Sequence, residues 1–235
     1  MTVSRATPVP WKAITKAAAA ITLAFAAFML LVHLPAGRRL LAPFYAAKCP
    51  VTHITAAEAE AARVNAVKQT AGTGTAPERP ALGFTLDKTT ASEVKAWAAR
   101  ASVSCTDERE GALIKCTKVP TSALPRAVDG PPLSEVVFMF EPRGMTLVNL
   151  TAYLADAPET VAATRLRAVR DALRASLGPG TEVGELDAAY FNEDARTATV
   201  GYRFADYHAD VTATRLRPGQ VMVREHYLSA RAALP

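Results

Sequence analysis

The chain is 235 residues long and carries a formal net charge of +5, but the positive excess is confined to its N-terminal third. Residues 1–79 contain nine Lys or Arg and three acidic residues, whereas residues 80–235 contain 18 Lys or Arg and 19 acidic residues. Because the larger part is close to neutral, the charge pattern argues against a nucleic-acid-binding surface on it.

A mainly apolar segment occupies residues 17–34; it contains no Asp, Glu, Lys or Arg, and its only strongly polar residue is His33, near its end. As a helix it would extend about 27 Å, close to the ~30 Å hydrocarbon core of a bilayer. The basic residues before it slightly outnumber Arg38 and Arg39 after it, which favours an N-terminus inside and a C-terminal part outside. We therefore predict a tail at 1–16 and a transmembrane anchor at 17–36. The protein would be a single-pass protein of the inner membrane, with its folded part in the periplasm.

A cleaved signal peptide is the alternative interpretation of the same segment. Secretory signals have an apolar core of about 7–15 residues and small residues at the cleavage site. Here the apolar run is longer, and Pro35, Arg38 and Arg39 lie where cleavage would be expected. Cleavage near residue 36 would release a secreted protein instead of an anchored one.

The region at 37–80 is predicted to be a stalk helix followed by a linker. Thr55 and Glu58 have the spacing of a capping box, and the helix that they start contains few large apolar residues. Residues 70–80, TAGTGTAPERP, lack periodicity and are rich in Gly, Thr and Pro, which is typical of a linker. Cys49 has no assigned partner and could link two chains in a homodimer.

The other two cysteines, Cys105 and Cys116, lie on either side of a predicted turn at Glu110-Gly111. Antiparallel pairing around that turn places the two cysteines directly opposite each other, at a Cα separation of about 4.5–5.5 Å. A disulfide bond can span this distance, and a periplasmic location would favour its oxidation. We therefore predict a Cys105–Cys116 disulfide.

The first folded unit is predicted at residues 81–155. Thr90 and Glu93 form a second capping box, and the helix that follows has apolar residues at helical spacing. One of them is Trp97, which we interpret as a core residue and not as a ligand contact. Strands are expected at 82–86, before the helix, and at 103–108, 112–119, 136–141 and 145–154, after it.

The second unit, residues 156–235, repeats this order. Asp156 and Glu159 are expected to cap a helix that has Pro158 in its first turn and ends at Gly178. The apolar face of this helix consists of Ala162, Leu166, Val169, Leu173 and Leu177. Four strands are expected at 182–191, 197–204, 209–216 and 221–229. The predicted fold class is α+β, with two helix-plus-four-strand antiparallel units forming one layered domain.

This arrangement, together with the run LDKTTASEV at residues 86–94, resembles the small tandem α+β periplasmic proteins of the β-lactamase-inhibitor and SmpA/OmlA lipoprotein type. The resemblance covers residues 82–229 as topology, but only that short run by residue identity. It implies a protein that acts by binding another protein and has no catalytic activity. The chain lacks a lipoprotein cleavage site, since Lys48 precedes Cys49, so the partners of those proteins are not transferred to it.

The sequence contains no nucleophile-elbow motif, zinc-protease motif, paired C-x-x-C or phosphate-binding loop. We therefore predict no enzyme activity, no cofactor and no metal. The best candidate for chemistry is Asp206, His208 and Asp210, because residues two apart on a strand share one face. A His between two carboxylates could transfer protons or bind a metal, so a small periplasmic hydrolase or metal-dependent enzyme is the alternative. Counting around the next turn places His226 opposite position 211.

A stripe of arginines on the second helix, Arg167, Arg170 and Arg174, is the candidate docking surface for an acidic partner or for lipid headgroups. A solvated helix face is the simpler interpretation of the same stripe. The sequence as a whole predicts a membrane-anchored, extracytoplasmic binding or scaffolding module of a bacterial envelope, with another envelope protein as its partner. A secreted protein inhibitor is the alternative if the anchor is removed.

Overall fold

The structure is a computed structural model that describes residues 21–23, 25, 26, 29, 55–126 and 129–231. The predicted tail at 1–16, most of the predicted anchor at 17–36, and Cys49 lie outside the described residues. The chain divides into two compact units, residues 1–54 and residues 55–235.

The described residues of the first unit are helical, and their large apolar side chains are exposed. Ile21, Leu23 and Phe25 retain between 59% and 72% of their accessible surface. Among the described residues, no helix has the length and the apolar character needed to cross a bilayer. The membrane anchor therefore stays a prediction.

The second unit is an α+β structure built around one large antiparallel sheet. Its helices are α1 (Ala56–Thr70), α2 (Ala91–Arg100) and α3 (Glu159–Leu177). Its strands are β1 (Pro80–Ala81), β2 (Phe84–Thr85), β3 (Ser104–Glu108), β4 (Leu113–Val119), β5 (Leu133–Phe140), β6 (Leu147–Ala157), β7 (Thr181–Val183), β8 (Thr197–Arg203), β9 (Tyr207–Arg217) and β10 (Gln220–Ser229).

Eight of these strands form the sheet in the order β3-β4-β5-β6-β10-β9-β8-β7, while β1 and β2 make a small separate hairpin. Strands β3 to β6 form one antiparallel meander after α2, and strands β7 to β10 form a second one after α3. The two meanders join because their last strands, β6 and β10, pair antiparallel. The predicted α+β class with a layered antiparallel sheet is confirmed.

Helices α2 and α3 pack on one face of this sheet and bury its core. Helix α2 begins at the predicted capping box, in which Thr90 and Glu93 each bond the other's backbone N–H. Trp97 is 7% exposed and lies edge-on to Phe84 at 5.2 Å and tilted against Phe138 at 5.8 Å. Its indole N–H donates to the Ala123 carbonyl at 2.7 Å, so its interpretation as a core residue is confirmed.

The apolar stripe predicted for α3 is buried in full, and the helix ends before Gly178 as expected. The predicted Asp156 cap is wrong. The helix begins after Pro158, which makes no side-chain cap, because β6 continues to Ala157 and keeps Asp156 in the strand. The Glu159 carboxylate instead accepts from the Gly219 N–H at 2.9 Å, which ties the start of α3 to the β9–β10 turn.

The strand expected at 182–191 is also wrong over most of its length. Strand β7 ends at Val183, and the chain then passes through Gly184, whose φ of +79° lies in the left-handed region. The residues that follow form a loop with a short 3₁₀ turn at Tyr190–Asn192. Phe191 in this turn is fully buried, so the loop contributes to the core without joining the sheet.

The predicted disulfide is confirmed. Cys105 on β3 and Cys116 on β4 are direct cross-strand partners, and their sulfurs are bonded at 1.98 Å. The bond fastens β3, the outermost strand of the first meander, to its neighbour.

The segment interpreted as a stalk and linker contacts the folded part. In α1, Val67 is 1% exposed and Arg63 donates to the Ser229 carbonyl at 2.5 Å. Further on, the Gly72 N–H donates to the Phe204 carbonyl at 3.2 Å. A Cβ on Gly72 would lie 2.1 Å from the Arg203 carbonyl oxygen, so only glycine fits there. The described folded part therefore begins before residue 81.

Candidate functional site

A group of polar side chains lies on the face of the sheet opposite α2 and α3. Side chains alternate between the two faces along a strand, so Arg224 and His226 on β10 share this face with Asp210 on β9. Arg203 on β8 and Asn149 on β6 join them. We call Asn149, Arg203, Asp210, Arg224 and His226 the Asp210 cluster.

Asp210 is the centre of the cluster and is only 6% exposed. Its Oδ1 accepts from Arg224 Nη2 at 2.8 Å, and its Oδ2 lies 3.3 Å from His226 Nδ1. Arg203 Nη2 lies 3.7 Å from the same Oδ2. One carboxylate thus faces two guanidinium groups and an imidazole.

The imidazole of His226 is held between two partners. Its Nε2 lies 3.2 Å from Asn149 Nδ2, and the Asn149 Oδ1 accepts from the Thr151 hydroxyl at 3.2 Å. The ring therefore bridges β6 and β9.

The environment keeps Asp210 ionised at neutral pH. Burial alone would raise the pKa of this carboxyl, but the hydrogen bonds and charges of His226 and Arg224 outweigh burial and lower the pKa. An ionised, fully engaged carboxylate is a poor general acid. It serves better as the anchor that orders the two cationic side chains around it.

His208 is the second histidine near this face, but it does not bond to Asp210. Its side chain is buried, and its Nε2 has no hydrogen-bond partner among the described residues. Burial, followed by the positive charge of Arg203, lowers the pKa of this imidazole. His208 is therefore neutral at pH 7, and within the described residues it makes no hydrogen bond to a carboxylate.

The structure separates the three residues proposed as a catalytic group. Asp206 precedes β9, where its Oδ1 accepts from the Ala76 N–H at 2.8 Å and its Oδ2 lies 3.4 Å from Arg79 Nη1. Asp206 thus fastens the segment at 75–79 to the end of the sheet and is not directed at His208 or Asp210. The described residues hold no group of three or more His, Cys, Asp or Glu arranged to bind a metal.

The predicted register of His226 is wrong by one residue. Gln220 pairs with Arg217 as the turn count requires, but Val221 then pairs with Arg215. A bulge at Leu216 absorbs one residue, so His226 faces Asp210 instead of position 211.

Sequence reasoning missed Arg203, Arg224 and Asn149. The only signal for Arg224 was its alternation with apolar residues on β10.

The arginine stripe of α3 lies on the other side of the sheet. Arg167 and Arg174 are exposed, and no ion pair engages either of them within the described residues. Arg170 is partly buried, and its Nε donates to its neighbour Asp171 at 2.8 Å. The molecule therefore presents two arginine surfaces, on opposite faces of one sheet.

The fold and the site define the class of the protein: an α+β domain with one helix-covered face and one polar face on a single antiparallel sheet. Comparison of the chain with protein-family models, with curated proteins and with solved structures finds no match in any of the three. The resemblance to the tandem periplasmic proteins stays a prediction, and the function is argued from this geometry.

Proposed function

We propose that the protein is a membrane-anchored, extracytoplasmic binding module of a bacterial envelope, without catalytic activity, that recognises an acidic segment of a partner protein through the Asp210 cluster. The observation that carries the proposal is the charge balance of that cluster. Arg203 and Arg224 share one carboxylate, and their side chains are 45% and 43% exposed. One positive charge is left over, and guanidinium donors suit a second carboxylate.

The proposed location has two supports. The apolar segment 17–34 has the length of a membrane span, and its side chains Ile21, Leu23 and Phe25 are exposed. The Cys105–Cys116 disulfide suits an oxidising compartment outside the cytoplasm. Protease treatment of spheroplasts should degrade the folded part while leaving cytoplasmic markers intact. Full-length protein recovered in the cytosol, with reduced thiols, would contradict this location.

A second candidate surface is the arginine stripe of α3. It is favoured by the exposure of Arg167 and Arg174 and by the absence of an ion pair for either within the described part of the chain. Flexible, solvated arginines lose more conformational entropy on binding than arginines already ordered by a carboxylate. We therefore place the acidic partner at the Asp210 cluster and treat the stripe as its rival.

The test compares matched pairs of substitutions in the full-length protein. The probe is a fluorescent Glu-rich peptide, and its binding is measured by anisotropy at low ionic strength. The pair Arg203→Gln/Arg224→Gln should weaken binding roughly tenfold or more. The pair Arg167→Gln/Arg174→Gln removes the same charge from the other face and should leave binding unchanged.

The outcomes separate the alternatives. Loss of binding only in the α3 variant would move the docking surface to that helix. Equal, small losses in both variants would show attraction by net charge alone, without a site. A Lys-rich peptide that binds as well as the Glu-rich one would overturn the acidic partner. A mature protein whose N-terminus lies near residue 37 would favour the secreted inhibitor over the anchored module.

A further inference from the structure

A groove of about 440 Å³ lies on the polar face of the sheet, along its β7–β8 edge. Alternate residues of the two strands, with one residue before β7, form most of its lining: Pro179, Thr181, Val183, Thr199, Gly201 and Arg203. Its volume is within the ~300–1,000 Å³ of ligand clefts in proteins. Gly201 pairs with Thr181 on one side and with Asp210 on the other, so the groove begins one strand, about 4.8 Å, from the centre of the Asp210 cluster.

The described chain gives no internal reason for a glycine at position 201. Strand β8 pairs with both of its neighbours without a register shift, so there is no bulge, and the φ of Gly201 lies outside the left-handed region. A Cβ at this position would meet no atom of the described residues within 4 Å. Glycine weakens the interior of a strand, and apart from bulges and barrel corners it marks places where a ligand approaches closely. Because this sheet is open, the approach of a ligand is the explanation that fits.

The sides of the groove offer apolar surface to the solvent. Val183 is 62% exposed, Pro179 is exposed, and Phe204, which also lines the groove, is half-buried. Glu182, the middle residue of β7, lies on the opposite face of the sheet because side chains alternate along a strand. The groove therefore suits a large apolar group and places no carboxylate of β7 against it.

The polar groups of the groove require no hydrogen bond from an occupant. The hydroxyls of Thr199 and Thr212 share a hydrogen bond at 3.1 Å, and Thr181 is exposed to water. Tyr202 also lines the groove, but it is 3% exposed and Gly180 lies directly against its ring, so its buried hydroxyl is not within reach of an occupant. An occupant is thus held by apolar contact and not by hydrogen bonds.

Arg203 connects the groove with the Asp210 cluster. Its Nη1 donates to the carbonyls of Tyr202 and Ala209 at 2.9 and 3.2 Å, and its Nη2 lies 3.7 Å from Asp210 Oδ2. These contacts hold the guanidinium at the border of the groove, while 45% of the side chain stays exposed. A guanidinium attracts the face of an aromatic ring as well as a carboxylate. Among large apolar groups, an aromatic ring therefore fits this groove best.

We propose that the groove receives an aromatic side chain of the acidic partner segment, from a residue close in sequence to the acidic residue that binds the Asp210 cluster. The ring covers Gly201 and contacts Val183 and Phe204, with Arg203 at its border. This assignment rests on the function proposed above, because one partner segment supplies both groups. It adds a sequence requirement, an aromatic residue beside acidic ones, to the partner.

Two labelled peptides of equal charge test the requirement. One is Glu-rich with a single central Trp, and the other has Ala in place of the Trp. Binding to the purified full-length protein is followed by anisotropy at low ionic strength, and the Trp peptide should bind roughly tenfold more tightly. In NMR spectra the ring of the Trp peptide should shift the methyl signals of Val183, which the Ala peptide should leave in place.

Two variants locate the ring. Gly201→Val fills the floor of the groove without a clash, so it should keep the melting temperature and reduce the affinity of the Trp peptide to that of the Ala peptide. Thr117→Leu enlarges an exposed side chain on β4, near the other edge of the sheet, and should change the affinity of neither peptide. If Gly201→Val does not fold, the Val183 shifts in the unsubstituted protein decide the question.

The outcomes separate this proposal from the function on which it rests. If the unsubstituted protein binds both peptides equally well, acidic recognition stands and the aromatic requirement is wrong. A preference for Trp that persists in Gly201→Val, or that leaves the Val183 signals unmoved, would place the ring elsewhere. If neither peptide binds, the acidic partner and its aromatic residue are both refuted.

Discussion

Strand β10 carries two arrangements of similar chemistry on its two faces, and they differ chiefly in burial. On the helix-covered face, Glu225 pairs with Arg165 at exposures of 1% and 3%. On the polar face, Arg224 pairs with Asp210, but the arginine side chain is 43% exposed. Residues adjacent in sequence thus enter ion pairs in two different dielectric environments.

The difference teaches where charge stabilises this fold and where it is available for binding. A buried pair is expensive to break, because the remaining charge has neither water nor a partner. Burial, and then the charge of Glu225, hold the pKa of the Tyr227 hydroxyl well above its ordinary range, which marks the same dry environment. A half-exposed arginine is stabilised by water in either case, so it can exchange partners at little cost.

The largest effect is expected from Glu225→Gln. This change leaves the Arg165 charge buried without its counter-charge and should lower the free energy of unfolding by about 3 kcal/mol. Denaturant unfolding followed by circular dichroism measures it. The double variant Arg165→Met/Glu225→Gln should recover most of the lost free energy of unfolding. A double variant that is about twice as destabilised as Glu225→Gln alone would contradict the coupling between the two residues.

The next largest effect is expected from removing the disulfide at the β3 edge of the sheet, away from β10. The disulfide closes a loop across a sequence separation of 11 residues, so Cys105→Ser/Cys116→Ser should lower stability by about 2–3 kcal/mol. Reductant should lower the melting temperature of the unsubstituted protein but not that of the variant. Identical melting of the unsubstituted protein with and without reductant would be the contrary result.

The covered face of the molecule could be predicted from the sequence, because burial follows periodicity. The stripe Ala162 to Leu177, the core role of Trp97 and the opposition of Cys105 and Cys116 each follow from a repeat or a turn count. Arg165 was missed, since a charged residue in an apolar stripe looks like its solvated neighbours until its partner on β10 is known.

The polar face could be predicted only in part, because its residues meet across three strands. Asp210 was found from its spacing to His208, but its actual partners lie on β8 and β10. The bulge at Leu216 left no mark in the sequence, and it shifted His226 by one position. A one-residue shift moves a side chain to the other face of a strand, so pairing errors of this size decide which residues meet.

Acid titration should distinguish two residues of the polar face. The folded-state pKa of His208 is lowered, so the unfolded chain binds its proton first and stability falls as the pH drops below about 6.5. The folded-state pKa of Asp210 is also lowered, so its contribution is full above about pH 4 and is lost only below that value. Stability is measured by unfolding at a series of pH values from 8 to 3.

Substitutions show which residue causes the loss of stability in each of the two pH ranges. His208→Gln should flatten the stability profile between about pH 7 and 5, and Asp210→Asn should flatten it below about pH 4. Each variant serves as the control for the other, because the two residues lie on the same strand and face. A profile that rises as the pH falls toward 5 in the unsubstituted protein would contradict the neutral, buried state of His208.

The smallest effect is expected from Arg224→Gln, the counterpart of the Glu225 change on the same strand. Because its guanidinium is nearly half exposed, its loss should cost no more than about 1 kcal/mol of unfolding free energy, and the loss should shrink further in high salt. The same unfolding experiment measures it beside Glu225→Gln. A loss of unfolding free energy as large as that of Glu225→Gln, and unchanged by salt, would mean that water is excluded equally from both faces of β10. The arginines of the Asp210 cluster would then not be available to a partner.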